Sequence, residues 1–489
     1  MKKYVNNACR IIGFLLCLVL VMSCLTNISL PFFGNYQGSQ SGFLEEKKDS
    51  IDVIFLGTSN MFHSINPVIM YSETGITSYD WGSSSQSLNM SYMYLKEALK
   101  TQSPKVVCLE IAQIDGNSNK NLYEPGMRWG FTYFPFGFNK LEGIYAQLEK
   151  IDFDYLSYIF PILRYKSRWM ELTQGDFDKS ADTYLKGCNV TFDVMPVEYP
   201  EEFYAAQDVE IKPSNIESLE KIEALCAKEG IELVYFKGPN TEIWNDAYAK
   251  KMAAYAENKG IPYIDYNDLR DEIGLLLDND FQDKAHTNVY GQTKVTKHMG
   301  EYLRTNYGLK DHREDPGENS YDEAVIKLSR RWNEFFLENS DSLYTYMEFI
   351  NEQPYILLCQ INGPLPEEDK VPPKMRSFLG GKEDSTAIVV DVESGELFFE
   401  SNEKLYTWHS KIDGRDVALE HRKIAYEAYQ NAGEEYEDEC SRAYNGRKYI
   451  GTGYGVSLLV YDKVLGKVVS IAEFDAAEDY RKREEYPLP

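Results

Sequence analysis

Three side chains in two short segments have the types and the order that nucleophilic ester chemistry needs. The first segment, Asp52-Val-Ile-Phe-Leu-Gly-Thr-Ser59-Asn60, is an apolar strand that ends in a serine. The second, Asp283-Lys-Ala-His286, carries a carboxylate and an imidazole three residues apart. A serine hydroxyl is a weak nucleophile until a base in contact with it takes its proton. We interpret His286 as that base and Asp283 as the group that fixes its tautomer, in the chain order Ser, Asp, His.

His286 differs from the other histidines in its position, after the last predicted strand and with an aspartate three residues before it. The six histidines are His63, His286, His298, His312, His409 and His421. Each segment also has a plainer interpretation. Ser59 or Asn60 could cap a helix that follows the strand, and the Asp283 and His286 pair could cap another. Their order, at the ends of an alternating strand and helix pattern, favours catalysis.

Apolar strands alternate with helices from residue 51 onward. The predicted strands are 52–56, 77–81, 105–111, 231–236 and 262–266, and the predicted helices are 65–74, 88–100, 214–228, 245–259 and 290–307. Short, continuously apolar strands separated by helices are typical of an α/β fold whose parallel sheet is covered on both faces. Ser59 and Gly82 both follow strands at the same edge of this sheet. We therefore predict that their backbone N–H groups form an oxyanion hole.

An insertion of about 116–213 separates the third predicted strand from the following helix. It is crowded with aromatic side chains, among them Trp129, Phe131, Tyr133, Phe134 and Trp169. Because it follows the carboxyl end of a strand, it could form a lid or a substrate cleft. It could equally form a small helical core of its own, and both interpretations stay open.

Residues 1–33 have the composition of a membrane anchor. Lys2, Lys3 and Arg10 precede the apolar run 11–25, which predicts a cytoplasmic amino terminus and an extracytoplasmic remainder in a single-pass cell-membrane protein. A cleaved signal peptide and a lipoprotein cleavage box at Val21-Met-Ser-Cys24 are the alternatives. All three place the chain outside the membrane and close to it, with the polar residues 34–50 as a tether.

The net charge of −26 argues against a nucleic-acid partner, which needs cations to displace the phosphate counterions. A neutral or weakly charged substrate, such as a sugar or an acyl group, fits better, although the acidity could serve solubility alone. The eight cysteines show neither a disulfide framework nor a metal-binding pair, and we expect no metal and no cofactor.

The pattern changes after residue 307. Residues 308–341 include Asp311-His-Arg-Glu-Asp-Pro-Gly317 and predict a linker. Residues 342–489 predict a second domain rich in β-structure, with strands at 355–361, 386–391 and 456–461. Two helices are expected in it, around 375–379 and around 417–432.

With these motifs in place, residues 50–307 resemble the SGNH/GDSL hydrolase superfamily. Ser59 in Gly57-Thr-Ser59-Asn60 matches the nucleophile of that family, Gly82 matches its second-strand glycine, and Asp283 and His286 match its final pair. The resemblance implies a three-layer, flavodoxin-like domain with an oxyanion hole that contains Ser59 and Gly82.

The asparagine that the family carries after its third strand is missing. Glu110 lies near that place, and Asn117 is further along. We name Asn60, Glu110 and Asn240 as residues that could line the site.

Two further resemblances concern the cellular setting. Gly82-Ser-Ser-Ser-Gln-Ser-Leu88 resembles membrane-anchored envelope members of the superfamily, including DltD-like proteins of teichoic-acid D-alanylation. The segment from Gly451 to Asp475 resembles ILEI/FAM3-type domains, which implies a β-sandwich-like fold with sugar-binding members. The paired cysteines common in those domains are absent here, and a spacer or a dimerisation module is the alternative.

The sequence therefore predicts a membrane-anchored extracytoplasmic serine esterase or O-acyltransferase that acts on acyl esters of cell-envelope glycans. The alternative is a non-catalytic envelope protein that uses the same scaffold to bind a glycan or to support assembly. The intact set of Ser59, Asp283 and His286 argues against this alternative.

Overall fold

A computed structural model of the 489-residue chain describes most of its length. The described residues are 2–31, 34–114, 120–146, 154–173, 176–177, 183–204, 209–242, 244–316, 319–351, 353–363, 366–367, 370–380, 387–424, 437–451 and 454–482. The chain divides into two compact units, Met1–Val325 and Ile326–Pro489.

The first unit is built on a five-stranded parallel sheet. Its strands are β1 Val53–Leu56, β2 Ser78–Asp80, β3 Val106–Glu110, β4 Glu232–Lys237 and β5 Tyr263–Asp265, in the order β2-β1-β3-β4-β5. This is the flavodoxin-like order of doubly wound α/β folds, in which ligands bind at the carboxyl ends of the strands. The five strands are predicted correctly, and β1, β3 and β4 are short, largely buried apolar runs, whereas β2 is the buried segment Ser78-Tyr-Asp80.

Helices cover both faces of this sheet. The helices of the first unit are, in chain order, α1 Lys2–Ser29, α2 Gly34–Glu45, α3 Ser59–Ser64, α4 Pro67–Thr74, α5 Leu88–Ala98, α6 Lys120–Thr132, α7 Phe138–Tyr145, α8 Tyr155–Ile159, α9 Ile162–Tyr165, α10 Pro213–Glu229, α11 Asp246–Lys259 and α12 Val289–Tyr307. Side chains that alternate along the strands enter two separate cores. Ile54 and Leu56 pack with α5, α10 and α11, whereas Val53 and Phe55 pack with α3, α4 and α12.

The second unit contains two antiparallel sheets. Its strands are β8 Tyr355–Asn362, β9 Ala387–Asp391, β10 Leu397–Ser401, β11 Tyr406–Ile412, β12 Arg415–Ile424, β13 Glu437–Tyr444, β14 Arg447–Gly451, β15 Gly455–Asp462, β16 Lys467–Asp475 and β17 Arg481–Lys482. The sheet orders are β10-β9-β8-β15-β16-β17 and β11-β12-β13-β14, while β6 Phe281–Asp283 and β7 His286–Thr287 form a hairpin in the first unit.

The two sheets of the second unit share one apolar core. Leu358 and Leu459 of the six-stranded sheet pack with Leu419 and Tyr449 of the four-stranded sheet. The opposite face of the larger sheet is covered by helices, which are α13 Ser320–Asn339, α14 Leu343–Ile350 and α15 Pro373–Gly380. The expected helix around 375–379 corresponds to α15.

Three local expectations differ from the structure. The helix expected around 417–432 is wrong over 417–424, which belong to β12, and 425–436 lie outside the described residues. Pairing of β12 with β11 and β13 buries alternate residues such as Val417 and Leu419, which gives the segment a strand environment.

The expected tether contains α2, whose Phe43 stacks on Trp81 with ring centroids 3.9 Å apart. The expected linker contains α13, and Tyr321 in it donates a hydrogen bond to the Ser78 carbonyl.

Candidate active site

Ser59 is the first residue of α3, and the two loop residues Gly57 and Thr58 separate it from the end of β1. All four residues of β1 are buried, so the strand ends at a defined point in the sheet. Thr58 caps the helix, because its side chain accepts a hydrogen bond from the Asn60 amide. The first N–H groups of a helix have no partner within it, so the Ser59 amide is available to an external oxygen atom.

Gly57 and Gly82 bring the first two strand ends close together. A Cβ atom on Gly82 would lie 2.4 Å from the Gly57 carbonyl oxygen, and one on Gly57 would lie 2.5 Å from Glu110 Cβ. Neither position has room for a side chain. Among the described residues, none accepts a hydrogen bond from the Gly82 amide. The ends of β1 and β2, after which Ser59 and Gly82 follow, therefore lie in contact at the same edge of the sheet.

His286 connects Ser59 to Asp283 in one chain of hydrogen bonds. His286 Nε2 lies 2.8 Å from Ser59 Oγ, and His286 Nδ1 lies 3.0 Å from each carboxylate oxygen of Asp283. The hairpin of β6 and β7 sets this spacing, and the Ala285 amide donates to Asp283 Oδ1 at 2.8 Å. The arrangement can transfer the Ser59 proton to His286.

The electrostatics of this pair favour an ionised carboxylate. Burial alone would raise the pKa of Asp283, but the hydrogen bond and charge of His286 and the Ala285 amide outweigh it and lower that pKa. The Asp283 side chain is 47% exposed and that of His286 is 22% exposed, so the site is open to solvent.

His63 packs against His286 and was not anticipated from the sequence. The two ring centroids are 4.6 Å apart, and His63 lies within hydrogen-bond distance of the Gln282 and Asn189 side-chain amides. Burial, together with the nearby His286, lowers the pKa of His63 to about 3. His63 is four residues after Ser59, which is one turn of α3, and this spacing is the signal that could have found it.

A buried ion pair forms hydrogen bonds with the loop that carries Ser59. Lys237 at the end of β4 lies 3.7 Å from Glu110 at the end of β3, and neither side chain is exposed. Glu110 accepts hydrogen bonds from the Thr58 amide at 3.3 Å and from the Thr58 hydroxyl at 2.9 Å. Lys237 donates to the Asn60 side-chain oxygen and, at 2.8 Å, to the Gly238 carbonyl. We call these two residues the Glu110–Lys237 brace.

Burial lowers the pKa of Lys237, an effect that Glu110 and Asp265 oppose by their charge. The sequence analysis missed Lys237. The signal is a lysine that ends an otherwise apolar strand, since the sheet register pairs Glu110 with Phe236 and places Lys237 one residue further on.

The three residues named as possible site lining have structural roles around Ser59. Asn60 donates to the Pro239 carbonyl at 2.8 Å and to the Ala285 carbonyl at 2.9 Å, which ties α3 to the hairpin that carries His286. Asn240 donates to the same Ala285 carbonyl at 3.1 Å. Glu110 accepts hydrogen bonds from the Thr58 hydroxyl and from the Ala112 amide. Asn117 lies outside the described residues.

The aromatic insertion lies against the loop that follows Gly82. A Cβ atom on Gly126 of α6 would contact Ser85 Cβ at 2.8 Å, and Tyr94 of α5 donates to the Gly130 carbonyl at 2.8 Å. Phe131, Phe134 and Ile144 join the core under α5, α10 and α11. The insertion thus both contributes to this core and borders the candidate site.

Comparisons with known proteins give structural neighbours only. No family model matches the chain. No curated protein matches its sequence. The neighbours include a protein from Desulfitobacterium hafniense assigned to the G-D-S-L lipolytic family, which is 11% identical, with a TM-score of 0.29, over 51% of this chain and 98% of that one.

Two more solved structures are among the neighbours. A protein from Bacteroides fragilis assigned as an acylhydrolase is 12% identical, with a TM-score of 0.27, over 55% of this chain and 95% of that one. A gut microbial diltiazem-metabolizing enzyme is 11% identical, with a TM-score of 0.20, over 78% of this chain and 58% of that one.

Proposed function

We propose that the protein is a serine esterase or O-acyltransferase with Ser59, Asp283 and His286 as its catalytic triad. The observation that carries the proposal is the hydrogen-bond chain from Ser59 Oγ through His286 to Asp283, at 2.8 and 3.0 Å. A nucleophile, a base in contact with it and a carboxylate that orients the base define this class of site.

In the first half-reaction Ser59 Oγ attacks the carbonyl carbon of an acyl ester, and His286 Nε2 takes the hydroxyl proton. Asp283 remains ionised and stabilises the imidazolium that forms. The amides of Ser59 and Gly82 hydrogen-bond the developing oxyanion. Collapse of the tetrahedral intermediate expels the alcohol, which receives its proton from His286, and leaves an acyl group on Ser59.

In the second half-reaction an acceptor hydroxyl attacks the acyl-serine, with His286 again as the base. Water as the acceptor gives an esterase, and a sugar hydroxyl gives an O-acyltransferase. The triad serves both, so acceptor competition is the measurement that separates them. Release of free acid that falls as an acceptor sugar is added, with acyl sugar formed in its place, would identify the transferase. The proposed chemistry uses no cofactor and no metal.

A fluorophosphonate probe, which labels activated serines covalently, tests the proposal. We expect Ser59→Ala to abolish labelling of the full chain. Ser64→Ala is the matched control, because Ser64 lies in the same helix and its buried hydroxyl has no hydrogen-bond partner among the described residues. Undiminished labelling of Ser59→Ala, with Ser64→Ala behaving like the wild type, would refute the assignment of the nucleophile.

We further propose that the substrate is an acylated cell-envelope glycan and that the chain reaches it from an N-terminal membrane anchor. Arg10–Ser29 of α1 is 20 residues long with a mean hydropathy of 2.5, enough to cross a bilayer by length and composition. The acidic surface suits a substrate of low charge.

The second unit offers a place for the glycan in this proposal. The outer face of the sheet β11–β14 carries an open cavity of about 340 Å³. Its floor includes Ala418, Ser441 and Ala443, and charged groups such as Arg422 and Lys448 flank it. Glycan-array binding by the full chain should weaken in an Arg422→Ala variant, and unchanged binding would remove the second unit from the proposal.

A further inference from the structure

The aromatic insertion contains an exposed apolar surface that neither core of the first unit uses. Phe160 is 53% exposed, Trp169 is 69% exposed and Met170 is 70% exposed, and Leu163 is also exposed. Phe160 directly follows α8, Leu163 lies in α9, and Trp169 and Met170 lie in the short 3₁₀ helix Lys166–Met170. Soluble surfaces rarely expose large apolar side chains in such a cluster, which marks an interaction surface.

This surface contacts the end of the apolar helix α1. Both α9 and the 3₁₀ helix pack against α1. Arg168 donates to the Ser29 carbonyl at 2.9 Å, and Tyr133 donates to the Pro31 carbonyl. The exposed aromatic side chains are therefore held beside the point where α1 joins the rest of the unit.

The exposure of α1 changes at the same point. The described side chains of 10–25 are exposed, whereas Ser29 and Leu30 are buried against the first unit. A helix of this length and hydropathy, exposed until its last turn, has the environment expected of a bilayer span that ends where the folded unit begins. The polar boundary of the bilayer then lies level with residues 26–30, where the aromatic surface begins.

Basic side chains accompany the exposed apolar ones. Residues 155–170 contain Arg164, Lys166 and Arg168 and no acidic residue, with Asp154 and Glu171 flanking them, and Arg168 pairs with Asp176 at 2.7 Å. Arg164 and Lys166 are exposed, and Arg164 also lies 3.9 Å from Glu124. Tryptophan together with basic side chains is the composition of membrane–water interfaces, where the rings sit at headgroup level and cations meet lipid phosphates.

We propose that Phe160, Leu163, Trp169 and Met170 form a collar that docks into the lipid headgroup and acyl boundary around the exit of α1. The collar rests on the membrane anchor of the proposed function but not on its chemistry. The same insertion borders the loop after Gly82, so docking would hold the candidate active site close to the membrane surface. Acyl groups presented there, on lipid-linked or surface glycans, would be its nearest substrates.

Photolabelling in a bilayer tests the collar directly. The full chain would be reconstituted in liposomes of phosphatidylcholine and phosphatidylglycerol that contain a lipid with a diazirine in its acyl chain. After irradiation, peptides are mapped by mass spectrometry. We expect adducts on 10–29 and, in addition, on 160–170, with none on α11, whose strand β5 lies at the far edge of the sheet.

The control variants keep the result interpretable. Replacing Phe160, Trp169 and Met170 together by serine should abolish the adducts on 160–170 and leave those on 10–29. Leu276→Ser is the matched control, since Leu276 is an exposed apolar residue after β5. Retained fluorophosphonate labelling of Ser59 in the triple variant shows that the unit is folded and reports the proposed chemistry independently.

Three results would overturn the collar. Adducts confined to 10–29 would show that the aromatic surface does not reach lipid. Crosslinks from 160–170 to a second copy of the chain would show a protein contact in its place. Absence of adducts on 10–29 would remove the span on which the collar depends. Each of these is distinct from a loss of Ser59 labelling.

Discussion

Each unit of the protein buries an ion pair within its sheet structure, and the two pairs differ in how completely they are bonded. In the first unit, Lys237 and Glu110 are 3.7 Å apart, and both bond to residues of the loop around Ser59. In the second unit, Arg442 and Glu473 are 3.2 Å apart and equally buried, but Arg442 Nε and Nη1 have no partner among the described residues.

This difference indicates that the Glu110–Lys237 pair positions the loop around Ser59, whereas the Arg442–Glu473 pair is less completely hydrogen-bonded. Removing charges from water costs several kcal/mol per ion, and only good geometry with further hydrogen bonds offsets the cost. The Glu110–Lys237 brace meets that condition, because Glu110 accepts a hydrogen bond from Thr58 and Lys237 donates one to Asn60. These two residues lie on either side of Ser59. The pair of the second unit leaves two guanidinium nitrogens without a partner among the described residues, so we expect it to offset less of its desolvation cost.

The largest effect is expected from breaking the brace. Lys237→Met leaves Glu110 buried without its cation, which should destabilise the first unit by about 3–5 kcal/mol. Displacement of the Ser59 loop by about 1 Å should slow fluorophosphonate labelling about 100-fold. Thermal unfolding and labelling rates of the full chain measure both.

Lys105→Met is the matched control for this prediction. Lys105, directly before β3, forms a 3.5 Å pair with Asp52, directly before β1, but its side chain is 52% exposed. It should cost less than about 1 kcal/mol. Adding Glu110→Gln to Lys237→Met should recover stability but not the labelling rate. Wild-type labelling in a folded Lys237→Met protein would contradict the positioning role.

The pair of the second unit should respond in the opposite way when both members are replaced. Arg442→Met alone should cost about 3–5 kcal/mol, because it removes the cation that faces the buried Glu473 carboxylate. Arg442→Met with Glu473→Met should return to within about 1 kcal/mol of the wild type or exceed it. A double-mutant cycle on thermal unfolding measures this, and Ser59 labelling should not change in any folded member. A double variant that stays as unstable as the single one would remove the contrast between the pairs.

Asp80 extends the comparison to a buried carboxyl group that has no ion-pair partner among the described residues. Neither of its oxygens has a hydrogen-bond partner among the described residues, and burial raises its pKa well above 3.8. The folded protein therefore binds a proton that the unfolded chain releases, and stability falls by up to about 1.4 kcal/mol per pH unit above the unfolded pKa. Asp80→Asn should remove this slope, so that its gain in stability is larger at pH 7 than at pH 4. Equal gains at both pH values would show that Asp80 carries no folded-state proton.

His63 gives the smallest expected effect and tests whether shape or charge matters beside His286. Its pKa of about 3 keeps the ring neutral wherever His286 acts as a base. His63→Phe keeps an aromatic ring against His286 and should change the labelling rate by less than about tenfold, or 1.4 kcal/mol. NMR titration of the wild type should show no shift of the His63 ring signals between about pH 5 and 8, the range in which an unperturbed imidazole titrates. A titrating His63 would contradict the neutral assignment.

Much of the first unit could be predicted from the sequence because its signals are local. All five strands lie within two residues of their predicted bounds, and β1, β3 and β4 are short, largely apolar runs. Asp283 and His286 are also close in sequence and lie opposite each other in the β6–β7 hairpin, so their pairing too is a local feature. The segment around Val417 was mispredicted because its partners β11 and β13, and not its own pattern, determine its strand conformation.

The sequence by itself determined the alternating α/β pattern and the three side chains with the types and order of a triad. It also determined that glycines stand at 57 and 82, where the structure has no room for a side chain, and that the N-terminal segment is apolar. Only the tertiary structure decided what supports Ser59. Glu110 and Lys237 are 127 positions apart in the chain, and only the parallel register of β3 and β4 brings them together. Such contacts depend on which strands become neighbours, whereas a motif depends on residues that are already adjacent in the chain.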